Sequence, residues 1–117
     1  MEGKQDFGKR GEKLAKDYLK KQGYKIIAQN FRCLQGEIDI IAEENDELVF
    51  VEVKTRSTLW YGTPAEAVDK PKQKHIIKAA KYYLYRTNQE TRYTRFDVIE
   101  IVGKQEKLKI NHIKQIL

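Results

Sequence analysis

A single cysteine, Cys33, is all the thiol chemistry in this chain of 117 residues, so no intrachain disulfide can form. That fits a reducing, cytoplasmic setting. The sequence places no base beside Cys33, so a partly buried thiol is expected rather than a nucleophile. Histidine is nearly as scarce. His75 and His112 stand far apart, and the ligand spacing of a zinc site is missing. No apolar run is long enough to span a bilayer, and the charged start from Met1 to Lys13 lacks the apolar core of a signal segment. Repeats, linkers and low-complexity stretches are absent too. The expectation is one compact domain over residues 1–117, with no membrane partner.

Positive charge is plentiful. Lys and Arg outnumber Asp and Glu by 23 to 17, a formal net charge of +6, and the 40% hydrophobic residues suffice for one modest core. A basic balance points to a polyanion such as nucleic acid, or to an acidic membrane surface. It is also compatible with a basic protein that has no such partner.

The hydrophobic period changes along the chain. Phe7, Leu14, Ala15, Tyr18 and Leu19 form a helical stripe from about Phe7 to Gln22, with Asp6 as a candidate cap and Gly23 as the left-handed residue after it. Tyr24 to Phe31 reads as a strand, Cys33 to Gly36 as a turn, and Glu37 to Ala42 and Leu48 to Lys54 as two more strands around the polar turn Glu43–Glu47. After a looser stretch, Thr63-Pro64-Ala65-Glu66 has the form of a helix start. A second helix is expected over Pro71–Arg86, followed by strands over Phe96–Val102 and Leu108–Ile113 with Gly103 in the turn between. Helix, three strands, helix and two strands imply an α/β fold, a mixed sheet flanked by helices.

The chemistry concentrates in Gly36-Glu37-Ile38-Asp39-Ile40-Ile41 and Phe50-Val51-Glu52-Val53-Lys54. Alternation puts Glu52 and Lys54 on one face of their strand, about 7 Å apart, with Val49, Val51 and Val53 on the other. A two-residue turn at Asn45-Asp46 would pair Glu44 with Glu47. Counting outward, Asp39 then faces Glu52, Glu37 faces Lys54, and Ile38, Ile40 and Ala42 line the aliphatic face. Two directly opposed carboxylates repel unless a proton or cation lies between them. A hard divalent ion such as Mg²⁺, which takes one or two carboxylates and keeps several waters, is the natural occupant. An ordinary solvated hairpin face, with Glu37 and Lys54 as a cross-strand pair, is the plainer reading of the same spacing. Leu48, Phe50 and Ile41 on the acidic face argue for partial cover, where unpaired charge is costly.

The strings Gly11-Glu12, Asn30-Phe31-Arg32, Gly36-Glu37-Ile38-Asp39-Ile40-Ile41-Ala42, Val49-Phe50-Val51-Glu52-Val53-Lys54-Thr55-Arg56, Gly62-Thr63-Pro64 and Arg95-Phe96-Asp97-Val98 together resemble the YraN-like family of bacterial proteins. That family is similar to the PD-(D/E)xK nucleases, particularly archaeal Holliday-junction resolvases. The resemblance implies a restriction-endonuclease-like core of order αβββαβ, to which this chain adds a C-terminal strand. It implies a metal-dependent DNA endonuclease for branched or otherwise structured DNA, using Mg²⁺ or Mn²⁺. Asp39 and Glu52 match the metal-binding acids, Lys54 the catalytic lysine, and Glu12 the acid on the first helix. Ile38 stands where the superfamily name expects proline. Likeness to the resolvases also brings a homodimer into view. Without the resemblance, Glu12 reads as a first-turn acid favouring the helix dipole.

Binding has separate candidates. No Asp or Glu occurs from Lys70 through Gln89, and Lys70, Lys74, Lys78 and Lys81 recur at helical spacing. Such a row would follow phosphates, or would simply be a solvated face. Gln73 projects toward the site if the likeness to related nucleases holds, and otherwise covers the edge of the core. Arg32, Arg56, Trp60 and Tyr61 flank the acidic hairpin and are candidate nucleic-acid contacts, a buried anchor for the Thr55–Gly62 loop being the simpler reading of Trp60, while Tyr82, Tyr83 and Tyr85 read as packing or self-association residues. A non-catalytic nucleic-acid-binding module and a partner-dependent subunit remain the alternatives to an enzyme.

Overall fold

A computed structural model describes residues 3–57, 70–104 and 106–117. The elements run α1 (Lys4–Lys21), β1 (Lys25–Cys33), β2 (Gly36–Glu44), β3 (Glu47–Arg56), α2 (Lys70–Arg86), β4 (Thr94–Lys104) and β5 (Lys107–Ile113). The expected order of elements is therefore present. The helix start at Thr63–Glu66, the Gly62-Thr63-Pro64 string, Trp60 and Tyr61 lie outside the described residues. No helix among the described residues is long and apolar enough to cross a membrane.

The five strands form one sheet in the order β1-β2-β3-β4-β5. Hairpins make β1-β2, β2-β3 and β4-β5 antiparallel, whereas β3 and β4, joined across α2, are parallel. Alternation along the strands divides the core in two. Ile40, Ala42, Val49, Val51, Ile99 and Ile101 pack under Ala15 and Leu19 of α1. Ile41, Leu48 and Phe50 pack under Ala79, Ala80 and Tyr83 of α2. The apolar residues expected on the acidic face are thus covered by α2.

Helix α1 starts earlier than its apolar stripe suggests. Gly3 is the N-cap and makes no side-chain capping bond, so Asp6 lies inside the first turn, where a carboxylate favours the dipole. The other end follows expectation. Gly23 has φ of 93°, and Tyr24 N–H and Gly23 N–H return to the carbonyls of Leu19 and Lys20 at 2.9 and 3.0 Å.

Gly11 brings α1 against β3. A Cβ at Gly11 would lie 2.0 Å from Thr55 Cγ2. Gly11→Ala is therefore expected to lose roughly 2 kcal/mol by overpacking, despite the gain of about 1 kcal/mol that alanine normally brings to a helix. Adding Thr55→Ala removes the clashing methyl and leaves Thr55 Cβ at 3.5 Å and Ile101 Cγ1 at 3.6 Å as nearest neighbours. Urea denaturation of the single and double variants tests this. A Gly11→Ala protein as stable as its parent would show that the helix does not rest on this contact.

Candidate active site

The β2-β3 register is the expected one where the strands pair. Glu44 faces Glu47 around a two-residue turn, with Asn45 at φ of 55°, and the pairing continues to Ile40 opposite Val51. It ends there, and this is where expectation and structure part. Val53 N–H donates to Asp39 Oδ2 at 2.8 Å. A side-chain carboxylate thus takes the place of a ladder carbonyl, and the strands diverge around it.

The alternation of β2 slips at the same point. Ile38 packs with Ile41 and Phe50 on the α2 side, although Ile40 and Ala42 face α1. The expectation that Ile38, Ile40 and Ala42 share one face is corrected accordingly. Pairs Gln29-Ile40 and Phe31-Ile38 bracket Asn30 and Asp39, and Asn30 adopts φ of 52°. A left-handed residue, which asparagine tolerates better than most, lets the paired strands rotate together. The rotation sends Ile38 beneath α2. Glu37 pairs with Arg32 at 3.5 Å.

These movements gather four acids. Burial pushes the Asp39 carboxyl up to about 7, with repulsion from Glu52 second and smaller contributions from Glu12 and Glu37, against the Val53 N–H, which lowers it. Burial also raises the Glu12 carboxyl, helped by Glu37 and Glu52 and opposed by Arg32. Glu12 Oε1 is buried and has no hydrogen-bond partner among the described residues. Glu12 therefore belongs to the cluster electrostatically.

Two lysines complete the group. Lys54 has its pKa lowered by burial first and by neighbouring Lys72 second. Lys72, on the first turn of α2, forms an ion pair with Glu52. Burial alone would lower the Lys72 ammonium's pKa, but its hydrogen bond and attraction to Glu52 outweigh burial and raise it. Sequence reading missed Lys72. The lysines that repeat at helical spacing lie on one exposed face, and Lys72 falls between them on the half-buried side, where it meets Glu52.

The binding candidates separate by exposure. Lys70, Lys74, Lys78 and Lys81 are exposed on α2, as is Arg32 on β1, while Gln73 is half-buried. Arg56 is turned inward, with 12% of its side chain exposed and its Nε 3.3 Å from the fully buried Glu100. A buried carboxylate needs a counter-charge, and this guanidinium supplies it. The expectation of Arg56 as a nucleic-acid contact is replaced by this structural role. Cys33 is half-buried, its thiol toward the Gly36 carbonyl at 3.5 Å.

Among the described residues, no three His, Cys, Asp or Glu side chains come together so as to hold a metal ion. The residues that could hold a hydrated divalent ion are the two acids Asp39 and Glu52. Asp39 and Glu52 offer hard oxygen donors, which matches the preference of Mg²⁺ for few carboxylates and several waters. Glu12 has an oxygen without a hydrogen-bond partner among the described residues, and the Asp39 carboxyl is pushed up first by burial and then by repulsion from Glu52.

A family model described as "Uncharacterised protein family UPF0102" matches residues 11–101. A UPF0102 protein of Caldanaerobacter subterraneus subsp. tengcongensis is 49% identical over 113 residues, covering 94% of this chain and 93% of its own. One from Caldicellulosiruptor bescii is 53% identical, covering 92% of each chain. One from Myxococcus xanthus is 39% identical, covering 94% of this chain and 87% of its own.

Proposed function

The chain belongs to the uncharacterised protein family UPF0102, the YraN-like family, and we propose that it is a metal-dependent nuclease hydrolysing phosphodiester bonds, a DNA endonuclease for branched or otherwise structured DNA. The observation that carries this reading is the Asp39 carboxylate, held by Val53 N–H where β2 and β3 diverge, with Glu52 and Glu12 acting on it. Asp39 and Glu52 would hold Mg²⁺ or Mn²⁺. Such an ion supplies Lewis acidity toward the phosphate and makes an attacking water more acidic.

The chain's own groups have distinct tasks. Lys54, whose proton is held less tightly than usual, orients the attacking water or steadies charge that develops on the phosphate. Glu12 draws a water or second cation toward its unpartnered oxygen. Lys72 neutralises Glu52 until a cation shares that carboxylate. The exposed lysines of α2 track the sugar-phosphate backbone. The same Lys72–Glu52 pair favours a second reading, in which the fold binds nucleic acid or serves a partner without cutting.

Cleavage of labelled single-stranded, duplex, flap and four-way-junction DNA, and of RNA, in Mg²⁺, Mn²⁺ or EDTA decides between them. The expected result is metal-dependent cutting, strongest on a branched substrate. Binding without cutting in every metal would select the second reading.

A further inference from the structure

A groove of about 750 Å³ lies between the tip of the β1-β2 hairpin and the second half of α2, outside the acid cluster. The tip is anchored on the helix by a hydrogen bond between His75 Nδ1 and the Gln35 carbonyl, 3.0 Å long. Arg32 and the fully exposed Leu34 wall one side, and Tyr82 and Arg86 the other. No acidic residue lines the groove among the described residues.

Its aromatic wall is built, not incidental. Phe31 packs edge-on against the buried Tyr83 at 5.2 Å, which fixes its ring. Tyr82 stands 6.4 Å from Phe31 at an interplanar angle of 34° and keeps part of its surface open. The Arg86 guanidinium lies 5.7 Å over the Tyr82 ring and donates to the Tyr82 hydroxyl at 2.9 Å. That leaves a braced aromatic platform with a cation at its edge. Arg32, at the other side, pairs with Glu37 and acts on Glu12, so the groove abuts the acid cluster.

We propose that this groove holds an unpaired nucleic-acid strand, one base stacked on Tyr82 and its phosphates between Arg86 and Arg32. The volume is in the range of about 300–1,000 Å³ typical of ligand sites. Base faces are open to an aromatic side chain only when the strand is unpaired, and guanidinium groups match phosphate geometry. The inference rests on the nuclease reading for the strand's purpose, which is to lead a scissile phosphate toward Asp39 and Glu52. It does not need cleavage in order to be tested.

Fluorescence anisotropy of the full chain in EDTA, with a labelled oligothymidylate, an oligouridylate and a blunt DNA duplex, reads the groove directly. Tyr82→Ala and Arg86→Ala are each expected to weaken binding of at least one single strand about tenfold, with less than about twofold change for the duplex. Tyr82→Phe, which keeps the ring and loses the hydroxyl, should retain single-strand affinity. The duplex arm also reports whether the variants remain folded. Unchanged single-strand affinity in Tyr82→Ala, or an equal loss on duplex, overturns the proposal. So does a change in light-scattering mass with strand affinity intact, which would assign the groove to a second copy of the chain. Tyr82-dependent strand binding without cutting in any metal would defeat the nuclease reading and leave the groove assignment standing. Cutting that is indifferent to Tyr82 would do the reverse.

Discussion

Asp39→Asn is expected to reduce metal-dependent cleavage by about a thousandfold, the scale of losing one preorganised electrostatic group, and at the same time to make the metal-free protein more stable at pH 8. Asparagine keeps a carbonyl oxygen for Val53 N–H, so the strand divergence survives, and only the charge is lost. The stability gain follows from linkage. The Asp39 carboxyl titrates near 7 in the folded chain and near 3.8 when unperturbed. Between those values the folded state holds a proton that the unfolded state has released, so this group lowers stability progressively as pH rises through that window. Below it, both states are protonated and the group contributes no difference. The variant should therefore melt higher than its parent at pH 8 in EDTA, by roughly 4 °C or more, and converge with it near pH 4. Mn²⁺ should reverse the order by stabilising only the parent, with affinity tightening as pH rises toward 8. Calorimetric melts across pH, with and without Mn²⁺, check the whole pattern. A variant that melts no higher in EDTA and still responds to Mn²⁺ would remove Asp39 from the centre of the site.

The pairing that positions Asp39 was legible because short-range rules control it. Asn45-Asp46 offers a two-residue turn, and that turn sets Glu44 against Glu47 and every pair as far as Ile40 and Val51. The same count, continued, fails at the next step. Alternation assumes an unbroken ladder, whereas the Asp39 side chain itself takes the Val53 N–H and Asn30 rotates the neighbouring strand. The site thus lies where the periodic rule stops, and periodicity alone could not supply its geometry. Glu12 was legible only by likeness to nucleases: it lies mid-helix in α1, beyond the first turn where an acid favours the dipole, and its helix spacing alone does not mark a site acid. Lys72 is not legible in the sequence because a row of exposed lysines is a stronger pattern than one half-buried lysine. The inward turn of Arg56 depends on Glu100, whose burial follows from the parallel β3-β4 pairing and cannot be read from either residue's neighbours in sequence.

Parallel pairing also explains the second large effect. Asp97→Ala is expected to cost about 3–5 kcal/mol, a large share of the 5–15 kcal/mol that holds a typical domain together. Arg95 Nε and its second terminal nitrogen both reach Asp97, at 2.9 Å each. The same guanidinium donates to Glu44 at 3.0 Å, Glu47 at 3.1 Å and the Tyr24 hydroxyl at 2.8 Å. It thereby ties the start of β4 to the turn between β2 and β3, which helps set the register of the parallel pair. Asp97 also meets His112 Nε2 at 2.7 Å and accepts from Gln115 N–H at 3.2 Å, while His112 Nδ1 lies 3.1 Å from the Tyr18 hydroxyl. Removing Asp97 takes the most buried carboxylate from the Arg95 guanidinium, leaving it Glu44 and Glu47, and takes the carboxylate partner from His112. Burial by itself would raise the Asp97 carboxyl, but hydrogen bonds from His112, Arg95 and Gln115 outweigh it and hold it below the usual 3.8. Its stabilisation is therefore present above that pH and lost as pH falls through the lowered value, so the variant should show a flatter acid limb. Replacing both charges, in Arg95→Met/Asp97→Leu, should recover much of the loss, because Glu44 and Glu47 are partly exposed and can hydrate. Glu44, Glu47 and Arg95 lie at the turn end of β2 and β3, whereas Asp97 stands opposite Val51, one residue from Glu52 in the register. A cost below about 1 kcal/mol for Asp97→Ala, or a double variant no better than the single, would mean that register is held by the strand ladders without this network.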